Sequence, residues 1–171
     1  MKLFSLGRLV FTAIEAATLL GWLALTRVNA VAAVIVLLVG LIAEHLVSFN
    51  VAQSRPLFKL QGQPLAGIAI SSAIETVAWI YLLTLAPVRV ALAFGLIQVG
   101  HAIELNNTNR FPSFTKFFNR LKAATRHSLI EDGVGLVGIL VWLYASPLAA
   151  LFIFLVGLYV EHFFASRAKL G

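Results

Sequence analysis

The sequence predicts an all-α integral membrane protein: six transmembrane helices built as three tandem helical hairpins with pseudo-threefold symmetry, plus a short cytoplasmic amphipathic helix. Three observations predict it. Of 171 residues, 60% are hydrophobic and only 12% charged, and the apolar runs are longer than a soluble core of this size can bury. Two short motifs recur three times in fixed order. Every acidic residue falls within an apolar run, and none on a loop.

A membrane-spanning helix needs about 20 mostly apolar residues. The segments that qualify are 9–26, 30–50, 65–86, 88–106, 128–146 and 147–165. They fill a single membrane domain, leaving little for a soluble one. The first stretch imitates a signal peptide, with a basic start and a small-residue run at Asn29-Ala30-Val31-Ala32. Cleavage is not expected, because Glu15 interrupts the apolar region and the same pattern recurs twice downstream.

The net charge of +6 does not imply nucleic acid, because the basic residues sort by side. With the N-terminus cytoplasmic, Lys2, Arg8, Arg55, Lys59, Arg110, Lys116, Arg120, Lys122, Arg126, Arg167 and Lys169 are inside, and only Arg27 and Arg89 outside. The positive-inside rule therefore puts both termini in the cytoplasm. Size and economy suggest a bacterial inner membrane. The chain has no cysteine, which excludes disulfides, thiolate metal sites and cysteine nucleophiles.

The repeat motifs give the hairpins. Odd helices share a small hydroxyl residue three positions before a glutamate: Thr12 and Glu15, Ser72 and Glu75, Ser128 and Glu131. Even helices share Val-Gly-x-x-x-Glu, at Val39 to Glu44, Val99 to Glu104 and Val156 to Glu161. From the first glutamate to the valine the separations are 24, 24 and 25 residues. The repeats are 1–57, 58–112 and 113–171, with tight turns near Arg27–Asn29, Pro87–Arg89 and Ser146–Pro147. Each repeat has an even number of spans and inserts the same way up. That implies an axis along the membrane normal, not the inverted symmetry of many transporters. In the connection between 106 and 127, Phe114, Phe117, Phe118 and Leu121 alternate at helical spacing with Lys116, Arg120 and Lys122. This is the expected surface helix, anchored on anionic lipid.

All seven acids lie in these spans, at Glu15, Glu44, Glu75, Glu104, Glu131, Asp132 and Glu161, and the four histidines, His45, His101, His127 and His162, lie close to them in sequence. Each hairpin's two glutamates are about 13 to 16 residues from its turn, on the order of 20 Å at 1.5 Å per residue. They therefore share one depth, toward the cytoplasmic side. An ionised carboxylate near a helix centre costs roughly 2.5–3.5 kcal/mol, so six unpaired ones would cost roughly 15–20 kcal/mol. That exceeds a usual folding margin of about 5–15 kcal/mol, and no lysine or arginine inside the spans can cancel it. Protonation, a water-filled cavity or bound metal cations remain.

Metal fits best, because oxygen and imidazole donors without thiolate suit iron, manganese or zinc. The donor set is similar in ligand chemistry to four-helix di-iron bundles, where Glu and His project inward, although their Glu-x-x-His spacing is absent. The candidate ligands are Glu15, Glu44, Glu75, Glu104, Glu131 and Glu161 with His101, His127, His45 and His162. His101 and Glu104, and His127 and Glu131, share helix faces. His45 and His162 each follow a glutamate directly, about 100° round the helix, and either ligate, orient a ligand or face lipid headgroups. Thr12, Ser72, Ser128 and Asp132 are expected to support the ligands, the hydroxyls either bonding the nearby carboxylate or their own helix carbonyl. Gly40, Gly100 and Gly157, one turn before a glutamate, read as close-packing points. Trp22, Trp79 and Trp142 read as core or interface aromatics. Tyr81 and Tyr159 are weaker candidates for redox chemistry.

The functional expectation is a membrane-embedded metalloprotein whose carboxylate-bridged di-metal centre, loaded with iron, performs redox or oxygen-dependent chemistry on a lipid-soluble substrate. A divalent-cation or proton transporter using the same layer is the alternative. A third reading is a haem- or chlorophyll-binding subunit of an energy-converting membrane complex, which leaves the glutamates unexplained.

Overall fold

The computed structural model describes residues 6–104 and 113–168, and the side chains of these except 104, 114, 123–128 and 164–168. Among the described residues there are six helices: α1 (Leu6–Thr26), α2 (Ala30–Ala52), α3 (Leu65–Leu83), α4 (Pro87–Glu104), α5 (Phe114–Tyr144) and α6 (Pro147–Ala168). The architecture is all-helical. α1, α2 and α3 are long and apolar enough to cross a membrane, and α4 and α6 are apolar over the shorter stretches Pro87–Ile103 and Pro147–Phe163.

The three tight turns follow from their capping residues. Asn29 ends the first turn in extended conformation and its side chain accepts from the Ala32 N–H at 3.0 Å, satisfying one of the donors that a helix start leaves open. Ser146 does the same for Ala149 at 3.0 Å. Pro87 and Pro147 open their helices, where a missing N–H costs nothing and φ is already helical. The connection from α2 to α3 is fastened by side chains. Asn50 Nδ2 donates to the Leu57 and Lys59 carbonyls at 2.8 and 2.9 Å, and Gln63 Nε2 to the Leu46 carbonyl at 3.2 Å.

One expected element changes. The amphipathic segment around Phe117 and Leu121 is not a separate surface helix; it is the start of α5, continuous for 31 residues. At 1.5 Å per residue α5 is about 46 Å long, well beyond an apolar layer of about 30 Å. No proline or glycine lies between Phe114 and Asp132 to break it. Its basic first turns are exposed at Lys116 and Lys122.

Packing is most extensive within the pairs α1–α2, α3–α4 and α5–α6. Successive pairs meet through α2–α3 and α4–α5, α6 packs back onto α1, and α3 touches α5. The helices therefore close a ring. On the side of the ring nearest the tight turns the core is apolar, built from Leu19, Trp22, Leu23, Trp79, Leu82, Ile97, Ile139 and Phe154. Trp22 and Trp79 meet edge to face with centroids 6.3 Å apart, a favoured aromatic geometry. Trp142 and Tyr81 pack partly buried against this core, as the sequence suggests for the tryptophan. The outer faces are apolar too, with Ile35, Val39, Leu92, Val137, Leu148 and Phe152 exposed. Helices apolar both inside and out suit a lipid surround.

Candidate metal centre

The polar residues gather on the other side of that apolar plug. Glu15, Glu44, Glu75, Glu131 and Glu161 are each at most 5% exposed, and Asp132 is fully buried. In the odd helices the spacing of three places Thr12 with Glu15 and Ser72 with Glu75 on one inward face, and all four residues are buried. Glu104, His127 and Ser128 have side chains outside the described set.

His45, His101 and His162 reach across the junctions between helix pairs. His45 Nε2 on α2 lies 3.2 Å from Glu75 Oε2 on α3. His101 Nε2 on α4 lies 3.0 Å from Glu131 Oε2 on α5. His162 Nε2 on α6 lies 3.0 Å from Glu15 Oε2 on α1, closing the ring. Two of them also touch the glutamate that precedes them, His45 to Glu44 at 3.5 Å and His162 to Glu161 at 3.2 Å.

The other ring nitrogen is held by the odd-helix hydroxyl. His45 Nδ1 is 2.8 Å from Ser72 Oγ, and His162 Nδ1 is 2.7 Å from Thr12 Oγ1. The two described hydroxyls of the repeat motif, Thr12 and Ser72, thus bond a histidine of the neighbouring pair, where the sequence offered a carboxylate or a helix carbonyl. Metal-ligating imidazoles are held in this way, with the far nitrogen fixed so that the near one faces the ion. Ser71 does touch a carboxylate: its Oγ donates to Glu75 Oε1 at 3.0 Å and lies 2.9 Å from the Gly100 carbonyl. The doublet Ser71-Ser72 was the signal for it.

Two triads emerge. Glu15, Glu44 and His162 form one, and Glu75, His101 and Glu131 the other; within each, one donor atom per residue can be chosen so that all lie within 4.8 Å of one another. Each triad takes one residue from three successive helices of the ring, α6–α1–α2 and α3–α4–α5. Glu15 is also within electrostatic range of Glu75 and Glu131, and Glu161 of Glu15, Glu44 and Glu131, so the triads belong to one cluster.

No protein-family model matches the chain, and neither a curated protein nor a solved structure does so. The site must be judged on its own chemistry.

Each triad offers two carboxylates and one imidazole, a donor set that divalent iron, manganese and zinc accept. Glu15 Oε2 is buried and, although close to His162, makes no hydrogen bond of acceptable geometry. A buried acceptor without a donor costs about 1–3 kcal/mol, and a cation between Glu15, Glu44 and His162 would remove that cost. Both Asp132 oxygens are likewise without a hydrogen bond, in the field of Glu131 and His101.

The three motif glycines divide. A Cβ on Gly40 would strike Thr18, and one on Gly157 would strike Val134, which is close packing as expected. A Cβ on Gly100 would sit 2.7 Å from Glu75 Oε1, so this glycine makes room for a donor carboxylate. Arg8, assigned by the sequence to a cytoplasmic segment, is buried, with its guanidinium 5.8 Å from the Tyr159 ring centroid and 5.3 Å from that of Phe163. Stacking on aromatic rings is how a guanidinium tolerates burial.

Proposed function

We propose that this chain is a membrane-embedded metalloprotein with a two-ion carboxylate and histidine centre, loaded with iron, that performs redox chemistry on a lipid-soluble substrate. In this reading all six helices span the bilayer as three hairpins around a pseudo-threefold axis, with both termini cytoplasmic. The carrying observation is the pair of donor triads, each of two carboxylates and one imidazole drawn from three helices. Support for the symmetry comes from the recurring junction, where a histidine of an even helix meets the glutamate of the next odd helix at 3.0 to 3.2 Å.

Iron held there would supply a redox couple and a Lewis acid. The chain's own groups do the rest. Glu44 and Glu75 bring one carboxylate each to separate triads, Thr12 aims His162, and Gly100 with Ser71 sets Glu75. The apolar plug of Trp22, Trp79, Ile139 and Phe154 keeps water from reaching the layer through the turn side. A lipid-soluble substrate fits a site at membrane depth that is enclosed by helices apolar on their outer faces.

The same plug counts against a through-going ion path, because a transport pathway needs polar or wet lining on both sides of its binding station. Metal content and optical spectrum measured on one purified sample test the proposal. Close to two iron, manganese or zinc ions per chain is the expected result, and protein free of stoichiometric metal after preparation in iron-supplied cells would end it.

A further inference from the structure

His45 belongs to neither triad, yet it touches both. Its Nε2 lies 3.5 Å from Glu44 Oε2 in one and 3.2 Å from Glu75 Oε2 in the other. Its Nδ1 is held by Ser72 at 2.8 Å, and at 3% exposure the ring has no room to turn toward water. A single ring nitrogen therefore faces two carboxylates that serve different ions.

We infer that His45 is a positioning residue that couples the loading of the two triads, so that an ion bound in one tightens binding in the other. This rests on the two-ion reading above and adds to it. Before loading, the Nε2–H is shared between Glu44 and Glu75, and a donor split between two acceptors satisfies each less well than one given wholly to either. An ion entering at Glu15, Glu44 and His162 takes up Glu44. The N–H then passes to Glu75 alone and fixes that carboxylate before the second ion arrives. The cost of ordering Glu75 falls on the first event, so the second is tighter, and linkage requires the same coupling in the opposite order. Repulsion between the two cations acts the other way. The buried acids offset it, since the five described glutamates and Asp132 can carry more negative charge than two divalent ions carry positive.

His162 provides the contrast. It too stands beside two carboxylates, Glu15 at 3.0 Å and Glu161 at 3.2 Å, but it is itself a triad member. Removing it should cost an ion; removing His45 should cost only the coupling.

The test is a titration of the purified full chain in lipid nanodiscs with Mn2+, following the resonance of the free aquo ion. Wild-type protein is expected to bind two ions, the second on the order of tenfold more tightly than the first, within the usual range of coupling between sites. His45→Phe should still bind two ions but lose that factor, and His45→Gln, which restores an N–H donor, should recover part of it. Ser72→Ala should fall between wild type and His45→Phe, and supplies the answer if His45→Phe does not fold. His162→Phe should bind one ion. Independent binding in the wild type, or unchanged coupling in His45→Phe and Ser72→Ala, would overturn the inference. So would a His45→Phe protein that holds a single ion, because His45 would then be a ligand. A wild type that binds no ion defeats the two-ion reading itself.

Discussion

Toward the tight turns, the helices meet through Leu19, Trp22, Trp79, Ile139 and Phe154, all 1% exposed or less. A turn or two along the same helices they meet through carboxylates, imidazoles and hydroxyls. The first half is held by shape, with the Trp79 indole N–H its one buried polar atom left without a hydrogen bond among the described residues; between helices in a lipid surround, close packing and dispersion provide that hold. The second half is also buried but brings together ionisable groups, with Glu15 Oε2 and both Asp132 oxygens left without a hydrogen bond. On the proposed reading one end of the bundle holds by packing and the other through bound ions, and substitutions should separate the two.

The largest effect is expected at Trp79, which is fully buried and received by the bare backbone of Gly135. Trp79→Ala should destabilise the protein by about 3–5 kcal/mol, the usual range for emptying an aromatic site in a core, measured by denaturation in detergent. Added metal should not restore the loss if the halves are independent. Next comes Gly100→Ala, whose new methyl meets Glu75 Oε1 at 2.7 Å. It should cost about 1–3 kcal/mol, as overpacking does, and bound metal should fall from two ions to one while the Glu15, Glu44 and His162 triad keeps its ion. Loss of both ions would tie the triads more closely than the geometry requires.

Thr12→Val removes the hydroxyl that holds His162 and nearly keeps its shape, leaving Nδ1 without that partner at a cost of about 1 kcal/mol. It should weaken metal at that triad by about 10–100-fold, the usual effect of losing a group that orients a ligand. The smallest effect belongs to the outer surface. Leu92, half exposed on α4, should tolerate Leu92→Ala within about 0.5 kcal/mol with both ions retained, and a larger loss would reveal a protein contact at that face.

Much of this was legible in the sequence because it depends on local or periodic features. Asn29, Pro87 and Ser146–Pro147 mark the turns by their own chemistry, and the recurrence of Glu15, Glu75 and Glu131 marks the polar layer. What was not legible is which partner each side chain takes across a junction. His45 follows Glu44 in sequence but lies closer to Glu75, and Thr12 reaches His162, 150 residues away. Such pairings depend on how the ring closes, and spacing along one helix does not encode that. The amphipathic pattern around Phe117 was read correctly as helical; its fusion with α5 was missed because a pattern of faces says nothing of where a helix starts when no breaker intervenes. The burial of Arg8 was not legible because a basic residue near a span end ordinarily faces water, and the rings of Tyr159 and Phe163 that shelter it lie on α6, about 150 residues away.

Ring closure also dictates an order of assembly. Chains are made from the N-terminus, and their parts fold in that order. Glu75, His101 and Glu131 can come together once α5 is in place. Glu15 and Glu44, although made first, lack His162 until α6 has inserted between α5 and α1. On the two-ion reading, the triad of Glu75, His101 and Glu131 would be complete once α5 is made, whereas Glu15 and Glu44 would gain their imidazole only when α6 follows.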